Sequence, residues 1–387
     1  MLSNRLKTLI LYCASPLVIL GIVPGIWDKT RGIVVPHKHA RYLLWFHTIN
    51  LLVWVTFGIV QAIRFNLTQQ YDLFNIAYVC ASAGLLPLET FLLMTVLEDD
   101  AIGVFNSLQI FLRHMKRVYY PSLDPNKSKV SLLLDIGFII ILFSFILLTI
   151  IYWIFVITFP NSPNLFGNLL PHNAPLLIVI LVGLHPCHIM LIAYMNVFVF
   201  CLTLYLYGFI VIPFVAFELR LGRKKRYYAV DQLRRPQMLI YTYRTVQLLQ
   251  QRVNQILGYI LIPSQTIMGK IVVFSAFTVF KNGDRMKLTS IALLGGWSVV
   301  MAFTWCTILL MGGYLHLYGE RILLSWKYHE WESRREKTII SKFRKSCKPT
   351  DLRFGNTYVI RRISVLKFIR QLTRGFSRLM LMAKGNH

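Results

Sequence analysis

The chain has 387 residues, of which 56% are apolar and only 15% are charged, and its formal net charge is +26. A soluble domain carries closer to a quarter of charged residues, so this composition argues against an ordinary soluble protein. The positive charge does not indicate nucleic-acid binding, because no RNA- or DNA-binding motif accompanies it, and the six cysteines do not form a secreted disulfide framework.

The first 41 residues are predicted to form a cytoplasmic N-terminal segment with a membrane-dipping helix. Residues 9–26 are apolar, but Pro16 and Pro24 interrupt them and basic residues flank them on both sides. A signal peptide is a poor interpretation, because no small-residue cleavage site precedes a polar mature start. A helix that crosses the whole membrane is an alternative, although basic residues on both flanks favour a segment that enters the inner leaflet without crossing.

Six apolar stretches follow, and each is long enough to cross a membrane, which takes about 20 residues. They are residues 42–62, 75–96, 131–158, 177–217, 253–279 and 289–318. The fourth exceeds a single crossing, so its second half is expected to continue beyond the membrane as a helix. Residues 42–318 are therefore predicted to form a six-span bundle.

Lys and Arg crowd onto every second connection between these stretches, near residues 113–117, 220–235 and 321–348, whereas the other loops carry almost none. The positive-inside rule places basic connections in the cytoplasm. The N-terminus is thus predicted inside, and Asn66, in an Asn-Leu-Thr sequon, is the predicted glycosylation site outside. A second sequon at Asn126 falls inside and should be silent. Anionic lipid is the expected partner of the basic connections.

No metal site, cofactor or catalytic constellation is predicted, and the chain is not expected to be an enzyme. His185, Cys187 and His188 cluster in the fourth stretch, but their spacing does not match a zinc site, and a polar patch lining a cavity is the better interpretation. Glu89 and Lys270 are charged residues inside apolar stretches. Three interpretations are open: a buried contact that responds to gating, a static ion pair, or side chains that snorkel to the membrane interface.

Aromatic side chains gather in the third, fourth and sixth stretches. Such clusters usually serve packing, but they also wall apolar ligand pockets between helices. The candidates for a pocket wall are Tyr152, Trp153, His188, Tyr194 and Trp297.

The last segment, residues 354–387, is less apolar. Lys367, Arg370, Arg374 and Arg378 share one helical face, because successive members are three or four residues apart. From these residues alone, the helix either lies in the membrane interface or crosses with its basic face towards water.

The order of the C-terminal third resembles the insect-type chemoreceptor superfamily, the odorant and gustatory receptors of hexapods. A charged helix with Trp is followed by a short link with Pro and Gly and then by an apolar final helix. The residues that fit this pattern are Trp326, Ser346, Pro349, Gly355, Asn356 and Phe368. Residues 17–24 also resemble the N-terminal motif of that family. The gustatory-receptor signature is incomplete, because Thr357-Tyr358 lacks the downstream Gln-Phe.

The resemblance implies an all-α polytopic membrane protein with seven transmembrane helices, the N-terminus inside and the C-terminus outside. It implies a ligand-gated, non-selective cation channel in the plasma membrane, opened by small odorant or tastant molecules. Such channels are homo- or hetero-tetramers, with or without a co-receptor. The ligand pocket lies between spans two, three, four and six.

The resemblance also assigns roles to the last two segments. Residues 319–353 become a cytoplasmic anchor helix, in which Trp326, Tyr328 and Trp331 are candidates for subunit assembly. Residues 354–387 become the pore-lining final helix. Its predicted gate is the apolar face with Val365, Ile369, Leu372 and Phe376. If the basic face lined the pore instead, rings of Arg and Lys would favour anions.

Two alternatives are weighed against this interpretation. A heptahelical G-protein-coupled-like receptor has the opposite orientation, and its Asp-Arg-Tyr and Asn-Pro-x-x-Tyr patterns are absent from the relevant span ends. A multi-span transporter often shows an internal repeat, and none is visible between the halves of this chain.

Overall fold

The computed structural model describes residues 20–28, 30–120, 129–158, 165–166, 171, 175–222, 227–355 and 358–384. Asn126, Asn356 and most of the predicted membrane-dipping segment lie outside these ranges. Gly25 and Ile26, at the end of that segment, belong to a β-strand rather than to a helix.

Helices make up most of the described residues. They are α1 (Lys38–Leu67), α2 (Tyr71–Val96), α3 (Glu98–Tyr119), α4 (Lys129–Thr158), α5 (Leu176–Phe217), α6 (Pro236–Asn282), α7 (Leu288–Tyr328), α8 (Arg334–Ser346) and α9 (Ile363–Lys384). Short 3-10 turns, Asp231–Arg234 and Gly283–Arg285, precede α6 and α7. Two antiparallel hairpins pair β1 (Gly25–Asp28) with β2 (Ile33–Pro36) and β3 (Arg353–Phe354) with β4 (Tyr358–Val359).

Six of the described helices, α1, α2, α4, α5, α6 and α7, are long and apolar enough to cross a membrane. They contain the six predicted stretches, so the prediction of an all-α, multi-span membrane fold is confirmed. Helix α9 does not reach the same hydropathy, because its basic residues dilute its apolar ones. The seventh span and the orientation of the termini stay predictions.

Three helices are much longer than a membrane is thick. Helix α5 has 42 residues, α6 has 47 and α7 has 41, so each is about 60–70 Å long at 1.5 Å per residue. The fourth stretch forms one continuous helix, as predicted. That its second half extends beyond the membrane stays a prediction. Helix α6 begins at Pro236 rather than near 253, and its proline occupies the first turn, where the missing N–H costs nothing. Helix α7 continues through the predicted boundary at 318.

Helix α3 was not predicted from the sequence. Its first turn carries Glu98, Asp99 and Asp100, and its last turn carries Lys116 and Arg117, which suits the helix dipole at both ends. Its buried apolar residues recur every three or four positions, as on one face of a helix; they include Leu108, Phe111, Met115 and Tyr119. This face packs on α6, where the Tyr119 and Thr242 hydroxyls are 3.1 Å apart.

Helix α3 also holds the N-terminal hairpin of β1 and β2. The Asn106 side chain makes two hydrogen bonds to Val34: its Oδ1 accepts from the backbone N–H at 2.7 Å, and its Nδ2 donates to the carbonyl at 2.8 Å. The Arg113 guanidinium donates to the carbonyl oxygens of Arg31 and Gly32. The hairpin is therefore fixed to a helix that lies outside the six candidate spans.

The link between α8 and α9 packs closely on α6 and α7. Helix α7 offers a row of glycines here, and a Cβ built at Gly313 would lie 2.7 Å from the backbone nitrogen of Arg362. On α6, Asn254 donates to the Asp351 carbonyl at 2.9 Å and accepts from the Arg353 N–H at 3.2 Å. A two-bond ion pair with Asp351 raises the pKa of Arg353 and stiffens the link.

Helix α9 then runs alongside the C-terminal part of α6. Phe368 faces Gly269, Gly375 faces Val273, and the ring of Phe376 lies 5.4 Å from that of Phe280. Since later residues of α9 meet later residues of α6, the two helices are parallel over this stretch.

Candidate functional site

The first candidate site is a small cavity at the centre of the bundle, where α2, α4, α5 and α7 meet. Residues from all four helices line it: Ala83, Leu86, Pro87, Phe145, Leu148, Met190, Ala193, Tyr194, Val197, Trp297 and Met301. Its volume is about 10 Å³, close to what a single water molecule needs. Any larger molecule must therefore separate the walls of this cavity to enter it.

A hydrogen bond between two predicted pocket residues holds the wall together. Trp297 Nε1 donates to the Tyr194 hydroxyl over 2.8 Å, which joins α7 to α5. Both side chains are buried. A buried donor left without an acceptor costs about 1–3 kcal/mol, so this bond resists separation of the two helices.

The other three pocket candidates lie elsewhere. Tyr152 is fully buried on α4, and its hydroxyl has no hydrogen-bond partner among the described residues. Trp153 turns outward, 42% exposed, and donates to the Cys187 carbonyl at 3.3 Å. His188 lines a different cavity. Of the five candidates, Tyr194 and Trp297 are the two that line the central cavity.

The second cavity, about 100 Å³, lies between α1, α2 and α5 and opens to the outer surface of the bundle. Its polar wall residues are His47, Asn50, His185 and His188, and His47 Nε2 lies 2.7 Å from the Leu20 carbonyl oxygen. The polar patch expected around His185 and His188 therefore does line a cavity, without Cys187. Across the described residues, no group of His, Cys, Asp and Glu is arranged to hold a metal ion.

The two charged residues inside apolar stretches do not form a pair. Glu89 on α2 accepts a hydrogen bond from Ser264 Oγ on α6 at 2.9 Å. Lys270 is exposed on α6. The ion-pair interpretation is therefore wrong for the described structure.

The predicted assembly residues fall into three different environments. Trp326 is buried within its own subunit, where its Nε1 donates to the Leu219 carbonyl at 2.9 Å and its ring meets Tyr243 edge-on at 5.2 Å. Trp331 is half-buried beside it. Tyr328 is 73% exposed. Of the three, Tyr328 is the residue most free to meet a partner subunit, and the prediction for Trp326 is corrected because core contacts already cover its ring.

The predicted gate residues do not share one free face of α9. Val365 is buried, and Leu372 and Phe376 lie against Gly269 and Phe280 of α6. Ile369 is 45% exposed. The apolar face of α9 is mainly a packing face, which an amphipathic pattern alone does not distinguish from a pore-facing one.

Solved structures identify the fold. No protein-family model and no curated protein sequence matches the chain. The olfactory receptor OR5 of the insect Machilis hrabei superposes with a TM-score of 0.67, covering 97% of this chain and 98% of the receptor at 10% identity. The chain has the fold of an insect olfactory receptor. OR5 in complex with eugenol also matches, with a TM-score of 0.59, 97% and 99% coverage and 10% identity.

The olfactory-receptor fold accounts for the architecture along almost the whole chain, including the bundle, the helices that extend beyond it and α9 at its side. It confirms the resemblance inferred from the C-terminal third. The solved neighbours are receptors rather than enzymes. The four spans expected around the pocket do meet at this cavity, but sequence reasoning missed its lining residues on α2 and α4. Leu86, Pro87, Phe145 and Leu148 look like any other apolar span residues.

Proposed function

We propose that the chain is a chemosensory receptor of the plasma membrane, a ligand-gated ion channel opened by small, mostly apolar odorant or tastant molecules. The observation that supports this most is the likeness to an olfactory receptor over the full length of both chains. That receptor has been solved with eugenol, a small aromatic molecule, which indicates the class of ligand to test first.

The central cavity is the proposed ligand site. Its walls are apolar apart from the Tyr194 hydroxyl and Trp297 Nε1, which suits a ligand with one or two polar atoms. Because the empty cavity holds little more than one water, binding must push α7 away from α5.

Helix α7 connects this site to α9. Eight residues after Trp297, the ring of Trp305 meets that of Phe368 on α9 at 6.5 Å. Further along α7, Gly313 touches the backbone at Arg362, one residue before α9 begins. A shift of α7 at the cavity therefore displaces both the start and the buried face of α9, which provides a route from ligand to pore.

The proposed assembly is a tetramer, either of this chain alone or with a co-receptor, with α9 of each subunit at the centre as the seventh span. The N-terminus is placed in the cytoplasm, and Asn66, which is exposed at the end of α1, on the outside. On the uncovered side of α9, away from α6 and α7, Leu366 and Ile369 are among the exposed apolar residues, and such residues suit a pore that closes by excluding water. Neither the G-protein-coupled-like receptor nor the transporter has a specific observation in its favour.

Cation selectivity is the part of the resemblance that this chain supports least. It requires the basic residues of α9 to turn away from the pore. The face of α9 that packs on α6 and α7 is the apolar one, so the basic residues lie on the side that these helices leave uncovered.

The test is a membrane current in cells that express this chain, with and without a co-receptor subunit, during application of eugenol and related volatile alcohols and phenols. We expect an agonist-gated current. In Tyr194→Phe, loss of the acceptor for Trp297 Nε1 is worth about 1–3 kcal/mol, so the half-maximal agonist concentration should change by a factor between roughly five and 140.

Trp153→Phe is the control, because Trp153 also takes part in one hydrogen bond between helices, as the donor to the Cys187 carbonyl, but lies on the outer surface of α4. Its response should equal that of the parent chain at equal surface expression. Surface-expressed protein that gives no current to any compound, with or without the co-receptor, would contradict the proposed function. Equal shifts in the two variants would contradict the proposed site.

A further inference from the structure

The second cavity, between α1, α2 and α5, has room for a small molecule. Its volume is about 100 Å³, against about 10 Å³ for the central cavity. A single water molecule takes about 10–15 Å³ of such space, so the second cavity accepts a ligand of several heavy atoms. Among the described residues, the two cavities share no lining residue. They are therefore separate sites, and the route proposed from the central cavity to α9 does not use the second one.

Three histidines from two helices line the second cavity. His47 lies on α1, and His185 and His188, which are three residues apart, lie on one face of α5. The rings of His47 and His188 are 5.9 Å apart between their centroids. Charge-assisted hydrogen bonds are about 2.7–2.9 Å long, so one carboxyl group placed between the two rings can bond to both.

The hydrogen bonds of these rings leave part of their bonding capacity unused. His47 Nε2 lies 2.7 Å from the Leu20 carbonyl oxygen, and since a carbonyl oxygen only accepts, Nε2 carries a proton. Nδ1 of the neutral His47 ring is therefore an acceptor. His185 Nδ1 is buried and has no hydrogen-bond partner among the described residues. A buried polar atom without a partner is unfavourable, so a ligand that supplies a hydrogen bond here is stabilised.

The charge balance of the wall selects the kind of ligand. None of the described wall residues is Asp, Glu, Lys or Arg. An ammonium ion would therefore bring a charge that no carboxylate balances. A carboxylic acid avoids this cost, because it is a stronger acid than an imidazolium. Its O–H bond breaks and the proton forms an N–H bond on a histidine nitrogen. The carboxylate then lies beside an imidazolium, and no net charge has entered the cavity.

The entrance of the cavity is on the outer surface of the bundle. Phe46 is 57% exposed there, and His188 is also exposed, so the polar wall can be reached from outside. The inner wall is apolar, and the buried Phe91 ring lies 6.3 Å from that of His47. A ligand with one acidic end and a short apolar chain matches both parts of the wall.

We propose that the second cavity is a further ligand site, which binds small carboxylic acids. The carboxyl group lies between His47 and His188, and a short aliphatic chain packs against Phe46 and Phe91. Occupation of this site does not require the chain to be a channel, so it can be measured as binding alone.

The experiment is a calorimetric titration of the detergent-solubilised chain at neutral pH with pentanoic acid, and with pentan-1-ol as the neutral probe of equal chain length. We expect saturable binding of the acid and much weaker binding of the alcohol. His188→Phe keeps a ring but removes its nitrogens, so the Kd for the acid should rise roughly tenfold or more. His114→Phe is the matched control, because His114 is an exposed histidine on α3 outside the cavity. Its Kd should equal that of the parent chain.

The outcomes separate this inference from the proposed function, which is tested by current. No saturable binding of pentanoic acid to the parent chain overturns the inference alone. Equal affinities for the acid and the alcohol overturn the acid chemistry. Unchanged acid binding in His188→Phe, or loss of it only in Tyr194→Phe, overturns the location. Binding of hexadecanoic acid in preference to pentanoic acid assigns the site to membrane fatty acids, and the small ligand is wrong. If His188→Phe does not fold, the same titration of His185→Phe decides.

Discussion

Trp326→Ala is expected to destabilise the subunit severely. The indole is about 1% exposed, donates to the Leu219 carbonyl and contacts the rings of Tyr243 and Phe343. Its removal leaves a cavity where α6, α7 and α8 meet, and truncation of a buried Trp to Ala costs about 3–5 kcal/mol. Thermal unfolding of the detergent-solubilised protein should show a clearly lowered transition, with loss of the folded monomer as well as of any oligomer.

Tyr328→Ala is the control for Trp326→Ala. Tyr328 lies two residues later on α7 but is 73% exposed, so the monomer should unfold at nearly the parent temperature. Trp326→Phe should fall between the two, since it keeps a ring but leaves the Leu219 carbonyl without its donor. If Trp326→Ala weakened only the oligomer and left the monomer intact, the indole would belong to an interface and this assignment would be wrong.

Gly313→Ala should disturb the coupling between α7 and α9. The added methyl would lie 2.7 Å from the Arg362 nitrogen and 2.9 Å from the Arg361 carbonyl carbon, and backbone atoms cannot rotate away as a side chain can. Forced overpacking of this kind costs about 1–3 kcal/mol. Displacement of the link should lower the unfolding temperature. It should also either reduce the maximal agonist-gated current or produce a current in the absence of agonist.

Gly295→Ala lies on the same helix, and nothing is within 4 Å of its added methyl. Alanine is also the better helix former by up to about 1 kcal/mol, so this variant should be neutral or slightly stabilised. Equal behaviour of the two glycine variants, in both unfolding and current, would show that the contact with Arg362 has no role in coupling.

Hydropathy predicted the six apolar spans well, because burial in lipid requires long uninterrupted apolar runs. It could not assign α9, since the apolar residues of that helix pack on α6 and α7 while its charges face the other way. Helix α3 was predictable in principle from the spacing of Leu108, Phe111, Met115 and Tyr119.

Side-chain roles were harder to predict than spans. The sequence surroundings of Trp326 are charged, which suggested an interface, yet its indole lies in the core because three helices converge there. Trp153 and Tyr152 are adjacent in sequence, but Trp153 faces outward and Tyr152 faces the core, since successive helix positions differ by 100°. Composition alone does not identify which side of a buried helix meets a cavity.

Accessibility of α9 to a water-soluble reagent shows whether this helix lines the ion pathway and with which face. Thr373→Cys and Ser377→Cys lie on the uncovered face, and Leu372→Cys lies against Gly269. A negatively charged, membrane-impermeant thiol reagent is applied during agonist-gated current, with the parent chain as baseline. We expect the current to change irreversibly at Thr373→Cys and Ser377→Cys and to stay at baseline for Leu372→Cys. Modification at Leu372→Cys with no effect at the other two would show that α9 presents its other face to the conduit.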